Sequence, residues 1–192
     1  MQNLINFLVF AVLSLALGLG SAYYGVEHGF AFVAPRSGAW RTWVSAGSLT
    51  ADPYTRAHIA RFGDLPITSA SGLTYVANID SDGRDLSSSC EYEIVAHPLN
   101  AIWWSIALYD SDGELIPNKA DRHAFNSQNL TVLPDGTQRI ALAPEARPGH
   151  WLPSGEDHDL VLVLRILRPL SIEQQRQGVV FEGLPTIKKV GC

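Results

Sequence analysis

The chain has few charged residues, and none of them lies between residues 4 and 26. Charged residues make up 17% of the 192 positions, the net charge is −5, and the longest basic run is the pair Lys188 and Lys189. Binding to nucleic-acid phosphates needs a concentrated basic surface, so a nucleic-acid partner is not expected. A polybasic site for lipid headgroups is absent for the same reason.

Local motifs of catalysis and of metal binding are also missing. The sequence has no Gly-x-Ser-x-Gly nucleophile elbow, no glycine-rich phosphate loop and no Cys-x-x-Cys pair. Its six histidines lack the i, i+4 or alternate spacing of a zinc site on one helix or strand. We therefore expect no metal and no cofactor and assign no catalytic residue, although histidines distant in the sequence can still meet in the fold.

Cysteine is scarce, with Cys90 and Cys192 as the two examples. Joined in a disulfide, they would close a loop of about 100 residues and hold the end of the chain, which requires an oxidising compartment. Two free structural thiols are the other interpretation, and the sequence alone leaves both open.

The uncharged segment at residues 4–26 is 23 residues long. As a helix it measures about 35 Å, enough to cross the core of a bilayer. We predict that residues 1–26 form a transmembrane signal-anchor. A cleaved signal peptide, for which Gly20, Ser21 and Ala22 supply a small-x-small site, and a buried soluble helix are the alternatives.

The orientation of this anchor is ambiguous. Arg36 and Arg41 follow the apolar segment, so a count of positive charges would place the following domain in the cytoplasm. A disulfide between Cys90 and Cys192 favours the periplasm instead. We predict a single-pass protein of the bacterial inner membrane with a periplasmic domain.

The rest of the chain divides into a juxtamembrane linker at residues 27–48 and a β-rich domain at residues 49–192. A short helix is predicted at the start of the domain, over residues 52–63, with Asp52 as its N-cap and Gly63 at its end. Its apolar stripe is predicted to contain Tyr54, Ala57 and Phe62.

From residue 73 onward the hydrophobic period changes to two, which is typical of strands. We predict a mainly β, antiparallel sandwich or jelly-roll-like domain. Strands are predicted at residues 73–79, 90–96, 102–109, 160–167 (central) and 186–190 (edge), a hairpin at 130–142, and a helical turn at 171–175. The two Asp-Ser-Asp-Gly runs, at residues 80–83 and 110–113, lack the further ligands of a calcium loop and are predicted to be turns.

Polar and aromatic residues around the third strand and in the central strand suggest a ligand pocket. Arg165 lies within an apolar strand, where a guanidinium needs either a carboxylate such as Asp110, Asp121 or Glu93 or an anionic ligand. Of the adjacent residues Trp103 and Trp104, one must face the core and the other away from it. The pocket candidates are Trp104, Tyr109, Arg122, His123, Ser127, Trp151 and Arg165.

Several of these segments together resemble a bacterial family of unknown function, DUF1214. The similar segments are residues 40–42, 47–48, 52–57, 103–113, 115–118, 121–122, 135–136, 149–153, 162–169 and 184–187. The resemblance is to the short, membrane-anchored branch and implies a jelly-roll-like fold without implying a reaction. Relatives often have a Tyr two residues after the arginine of the central strand, where this chain has Leu167.

These observations favour an accessory or ligand-binding domain of the cell envelope, attached to the membrane through residues 4–26. Its partner would be a small ligand or another envelope protein. A small-molecule hydrolase or lyase is the alternative, and it requires Arg122, His123 and Arg165 to converge on one cavity. A purely structural interaction module, docking through Trp40, Trp43 or an edge strand, is the third hypothesis.

Overall fold

A computed structural model describes residues 1–62, 66–68, 70–99, 101–156, 158–167 and 183–192. The predicted helical turn at 171–175 and the helix-ending Gly63 lie outside these residues. The described part contains two helices and ten strands. They are α1 (Gln2–His28), β1 (Arg36–Ser37), β2 (Trp40–Thr42), α2 (Pro53–Phe62), β3 (Gly72–Ala77), β4 (Glu91–Ala96), β5 (Trp103–Asp110), β6 (Ala124–Asn126), β7 (Gln138–Ala143), β8 (Trp151–Pro153), β9 (Leu160–Leu167) and β10 (Thr186–Gly191).

Helix α1 has the length and composition of a membrane-spanning helix. Its most apolar 18-residue window has a mean hydropathy of 2.2, and none of that window is buried against the protein. Gly25, near its C-terminal end, is its one buried residue. The structure therefore presents an apolar helix that is not part of the domain core, as expected for a membrane span or a signal sequence.

The strands form two sheets that share one core, which confirms the predicted mainly β, sandwich-like fold. The six-stranded sheet has the order β1-β2-β3-β9-β5-β6 and is antiparallel throughout, whereas the four-stranded sheet has the order β10-β4-β7-β8. In the second sheet β7 and β8 are parallel, which differs from the prediction of a wholly antiparallel fold. Residues 144–150 return the chain so that Trp151 lies beside Ala141.

The core lies between the two sheets because alternate residues of each strand point inward. Strand β9 illustrates the pattern, since its even-numbered residues from Leu160 to Ile166 are buried and its odd-numbered residues are half-exposed. β9 is central, as predicted, but only one of its faces is fully covered. Trp40 closes one side of the sandwich, because its indole donates a 2.6 Å hydrogen bond to the Pro185 carbonyl next to β10.

The segment predicted as a linker, residues 27–48, contributes β1 and β2 to the six-stranded sheet. Trp40 is 1% exposed and belongs to the core, so the β-fold begins before the predicted boundary at residue 49. The sequence of this segment is rich in glycine and aromatic residues, and its two strands are too short to show a period.

Helix α2 is present, and its N-cap is as predicted. Asp52 Oδ1 accepts hydrogen bonds from the backbone N–H groups of Tyr54 and Thr55, both at 3.0 Å. The predicted apolar stripe is wrong, since Ala57 and Phe62 are exposed and Thr55 is the fully buried residue. The reason is that α2 packs against the end of α1.

The predicted hairpin at 130–142 is correct in its turn and wrong in its first strand. The N–H of Leu133 donates to the Thr137 carbonyl at 2.8 Å, and Gly136 takes a positive φ of 78°. Residues 130–133 nevertheless form no strand, because β7 is already paired with β4 on one side and β8 on the other.

Both Asp-Ser-Asp-Gly runs form turns, and they use the same hydrogen bonds. Asp80 Oδ1 accepts from the N–H groups of Asp82 and Arg84, and Asp110 Oδ1 accepts from those of Asp112 and Glu114. Gly83 and Gly113 have φ values of 86° and 81°. Each carboxylate is thus used by its own turn.

Cys90 and Cys192 form a disulfide, which selects the first of the two sequence interpretations. Cys90 directly precedes β4, and Cys192 directly follows the edge strand β10. The bond therefore holds the chain end against the neighbouring strand.

Candidate functional site

The outer face of the six-stranded sheet points away from the core. It carries Tyr109 and Arg165, two of the candidate residues. The strand register places its residues in rows across the sheet. One row runs through Arg36, Arg41, Val76, Val163, Ala107 and Ala124, and the next runs through Thr74, Arg165, Ser105 and Asn126. Val161 and Tyr109 form a third row, and Leu167 and Trp103 a fourth.

Arg165 projects from the middle of this face, at the centre of β9. Its guanidinium lies 5.7 Å from the centre of the Tyr109 ring, and its Nη1 donates a 3.3 Å hydrogen bond to the Tyr109 hydroxyl. Its row neighbours are the small hydroxyl residues Thr74 and Ser105, and the row between Arg165 and Tyr109 carries the apolar Val163 and Ala107. Tyr109 therefore positions Arg165 without neutralising its charge.

None of the expected carboxylate partners of Arg165 is in place. Within the described residues, Arg165 forms no ion pair with Asp110, Asp121 or Glu93, and Glu93 lies instead against Arg139 on the other sheet. A half-buried cation on an apolar surface gains most from an anion that brings its own hydrogen-bond acceptors. This arrangement suits a carboxylate or phosphate group.

The same face has further positive charge and little to balance it. Arg36 and Arg41 are directly opposite each other on β1 and β2, and burial followed by the charge of Arg36 lowers the pKa of Arg41. No Asp or Glu occupies an outer-face row of the described strands of the six-stranded sheet. The outer face of the six-stranded sheet is therefore apolar and cationic.

A second group of candidate residues lies where the edge strands β6 and β8 of the two sheets approach each other. Arg122 Nη1 donates to the Trp151 carbonyl at 3.0 Å, and its guanidinium lies 5.7 Å from the Phe125 ring and 5.9 Å from the Trp151 ring. Phe125 also contacts the ring of His150, edge to face. These contacts close this side of the sandwich.

His123 belongs to this second group and is held by its loop. Its Nδ1 lies 3.3 Å from the Asn118 amide nitrogen, and its Nε2 lies 3.4 Å from the carboxylate of Asp121. Asp121 takes a positive φ of 48° in the same loop. The side-chain oxygen of Asn118 also accepts a hydrogen bond from the Arg122 N–H, so Asn118 shapes this turn.

The remaining candidates are structural in position. Trp104 is 3% exposed and lies in the core, whereas Trp103 occupies the outer face. The Ser127 hydroxyl accepts from the Trp104 N–H at 3.4 Å, and the Ser127 N–H donates to the Trp104 carbonyl at 2.9 Å. Ser127 thus extends the pairing of β5 and β6, and neither residue contacts His123 or Arg165 among the described contacts.

The structure therefore brings the candidates together in two groups, Tyr109 with Arg165 and Arg122 with His123 and Trp151. No described contact joins the two groups, and the described residues include no cluster of metal-binding side chains. The convergence on one cavity that the hydrolase or lyase hypothesis requires therefore stays a prediction. Sequence reasoning missed Ser105 and Thr74, which flank Arg165 because of the strand register.

The outer face of the four-stranded sheet differs, because its arginines are paired with carboxylates. Arg147 pairs with Glu91 through two hydrogen bonds, the longer of which is 3.1 Å. Arg139 reaches both Glu93, at 3.3 Å, and Asp135, at 2.8 Å. A shallow depression of about 190 Å³ lies beside this pair, and its three charged lining residues, Glu91, Glu93 and Arg147, already have partners.

The DUF1214 family model, described as a protein of unknown function, matches residues 71–171, just over half of the chain. The chain belongs to the DUF1214 family. The match includes β3 to β9 and both groups of candidate residues. No curated protein matches this DUF1214 chain.

Two solved structures are similar to this DUF1214 chain. The VPA0106 protein from Vibrio parahaemolyticus is 20% identical, with a TM-score of 0.58 over 73% of this chain and 36% of its own. A putative uncharacterized protein from Burkholderia cenocepacia is 16% identical, with a TM-score of 0.48 over 88% of this chain and 39% of its own. The first likeness supports the fold alone. This chain spans less than half the length of either solved chain.

Proposed function

We propose that this protein is a membrane-anchored DUF1214 domain of the cell envelope that binds a small anionic ligand through Arg165. The observation that carries the proposal is the guanidinium on the outer face of the six-stranded sheet, oriented by Tyr109 and without a carboxylate partner among the described residues. Val163 and Ala107 occupy the row between Arg165 and Tyr109 and offer an apolar surface, and Ser105 and Thr74 offer hydroxyl groups in the row of Arg165.

The anchor in this proposal is α1, and the compartment is the periplasm. The length and exposed apolar surface of α1 support a single bilayer crossing at the inner membrane. The disulfide between Cys90 and Cys192 supports an oxidising compartment for the domain. An impermeant amine reagent added to intact spheroplasts should label the exposed Lys119. Labelling that requires lysis would place the domain in the cytoplasm and overturn this part of the proposal.

The ligand site is tested with a pair of probes that differ mainly in charge. Benzoate has a carboxylate for Arg165 and a ring for the apolar surface, and benzamide has the same ring without the charge. Saturation-transfer NMR on the full-length protein in detergent micelles should show stronger binding of benzoate. R165M should weaken benzoate binding by at least about tenfold, since hydrogen bonds to a charged group contribute about 1.5–3 kcal/mol.

The matched control is R147M, which removes an arginine from the outer face of the four-stranded sheet. Because Arg147 is already paired with Glu91, its loss should leave benzoate binding unchanged. Equal binding of benzoate and benzamide, or an unchanged benzoate affinity in R165M, would contradict the proposal that Arg165 binds an anion.

A further inference from the structure

The C-terminal end of α1 is packed firmly against the domain. The Val26 carbonyl lies 2.8 Å from Nδ1 of His58 on α2, and Glu27 forms a 2.5 Å ion pair with Arg61 of the same helix. The backbone of Gly25 approaches so closely that a Cβ there would lie 2.9 Å from the Tyr54 ring. The apolar helix and the domain are therefore joined by contacts rather than by a free linker.

Aromatic rings surround this junction, and several are exposed. Phe30 lies 6.1 Å from the Tyr24 ring of α1, stacks on Phe32 at 5.4 Å and meets Tyr54 edge to face at 5.2 Å. On α2, the guanidinium of Arg61 lies 5.6 Å from the Tyr23 ring and 5.9 Å from the Phe62 ring. We call the exposed set the aromatic collar, which consists of Tyr23, Tyr24, Phe32 and Phe62, with exposures of 60%, 53%, 81% and 49%.

The position of the collar along α1 matches the edge of a bilayer. Residues 4 to 23 of a helix span about 29 Å, close to the roughly 30 Å thickness of the hydrocarbon core. With Leu4 at one boundary of the core, Tyr23 and Tyr24 reach the other boundary. Phe32 and Phe62 are connected to this level by the ring contacts through Phe30 and Arg61.

Aromatic side chains are enriched at this level of membrane proteins, because their rings suit the apolar side and the polar side of the interface. Exposed rings in water would instead cost hydrophobic free energy. The exposed Arg56 of α2 adds attraction to lipid phosphates.

We propose that the aromatic collar inserts into the lipid headgroup layer, so that the β-domain is seated on the bilayer surface at a fixed orientation. The inference rests on the bilayer crossing of α1 proposed above. It adds a second, shallow membrane contact supplied by Phe32 and Phe62. The outer face of the six-stranded sheet begins at Arg36 and Arg41, close to this contact in the chain.

The test uses nitroxide spin labels on the full-length protein in nanodiscs of phosphatidylcholine and phosphatidylglycerol. Cys90 and Cys192 are joined to each other, so a single introduced cysteine can be labelled. The variants are Phe32→Cys in the collar, Leu13→Cys in the middle of α1, and Leu115→Cys in the turn after β5. Leu115 is 48% exposed and serves as the water-exposed reference.

Collisions with a polar nickel chelate and with oxygen report the depth of each label. At Leu13 the label should collide often with oxygen and rarely with the chelate. At Leu115 the label should collide often with the chelate. At Phe32 the chelate collision rate should be several-fold lower than at Leu115. A Phe32 label as accessible as the Leu115 label, with the Leu13 label in lipid, would overturn the collar and leave the anchor intact. A water-accessible Leu13 label would overturn the anchor and the collar together.

Discussion

The two outer faces of the sandwich have opposite surface chemistry. On the four-stranded sheet, Arg147 is paired with Glu91, and Arg139 with Glu93 and Asp135. On the six-stranded sheet, Arg165 stands among small and apolar side chains, and its described partner is the Tyr109 hydroxyl. A face whose arginines are paired with carboxylates has little need of a further anion, whereas a face whose central arginine has no carboxylate partner among the described residues is suited to bind one.

The two sheets are also stabilised differently at their ends. The four-stranded sheet is closed by the disulfide beside its edge strand β10, and the six-stranded sheet brings β3 and β9 into close approach at Gly72. This difference allows each sheet to be weakened separately. The predictions below run from the largest expected effect to the smallest.

Removing the disulfide should have the largest effect, and it acts on the four-stranded sheet. In the double variant C90S/C192S the loss of a closed loop spanning 102 residues in sequence should lower the free energy of unfolding by about 4–5 kcal/mol in the chain-entropy model. Urea unfolding of the full-length protein in detergent, followed by circular dichroism, measures it. A change below about 1 kcal/mol would show that the edge strand is held by other contacts.

Gly72→Ala should weaken the six-stranded sheet by an intermediate amount. A Cβ at Gly72 would lie 2.3 Å from the Ile166 carbonyl oxygen, so β3 and β9 must separate, at a cost of about 1–3 kcal/mol. Gly191→Ala, in β10 of the other sheet, is the matched control, because a Cβ there meets no atom within 4 Å. Equal melting temperatures for the two variants would contradict the close approach of β3 and β9.

Tyr109→Phe tests the positioning of Arg165 and should have a smaller effect. The ring remains beneath the guanidinium, but the hydroxyl that accepts from Nη1 is lost. A neutral hydroxyl contributes about 0.5–1.5 kcal/mol, so benzoate binding should weaken by about two- to tenfold. R165K is the companion variant, since a lysine retains the charge without the planar fork and should recover part of the affinity lost in R165M. No change in Tyr109→Phe would show that the hydroxyl does not orient Arg165.

The smallest effect should come from acid on the paired face. The Thr137 hydroxyl, with the Thr137 N–H and Arg139, lowers the pKa of Asp135 to about 2, from 3.8. A lowered carboxyl pKa stabilises the fold above pH 3.8, and this contribution is lost as the pH falls through about 2. The difference in melting temperature between the wild type and D135N should be constant from pH 5 to 7 and shrink toward pH 2. A difference in melting temperature that grows as the pH falls would contradict this prediction.

Much of the fold could be predicted because it depends on local patterns. The alternation in residues 160–167, the Asp52 cap and the Asp80 and Asp110 turns each involve neighbouring residues, and all are present. The strands β1 and β2 were missed because two and three residues carry no period. The first half of the predicted hairpin failed because β4, more than 40 residues away, pairs with β7 in its place.

The candidate site was harder to predict, since it depends on register between distant strands. The sequence singled out Arg165 because an arginine in an apolar strand needs a partner. Its partner, Tyr109, was also a candidate, but the pairing of the two could not be read from residues 56 positions apart. Choosing between Trp103 and Trp104 required knowing which face of β5 lies against the core.

The central claim is that anions bind on the six-stranded sheet and not on the four-stranded one. Its most direct test follows the side-chain Nε–H signals of Arg165, Arg139 and Arg147 in nitrogen-15 NMR spectra while benzoate is added to the full-length protein. We predict a saturable shift of the Arg165 signal and no shift for Arg139 and Arg147, which already have carboxylate partners. Equal shifts for all three arginines, or a stationary Arg165 signal, would contradict the account.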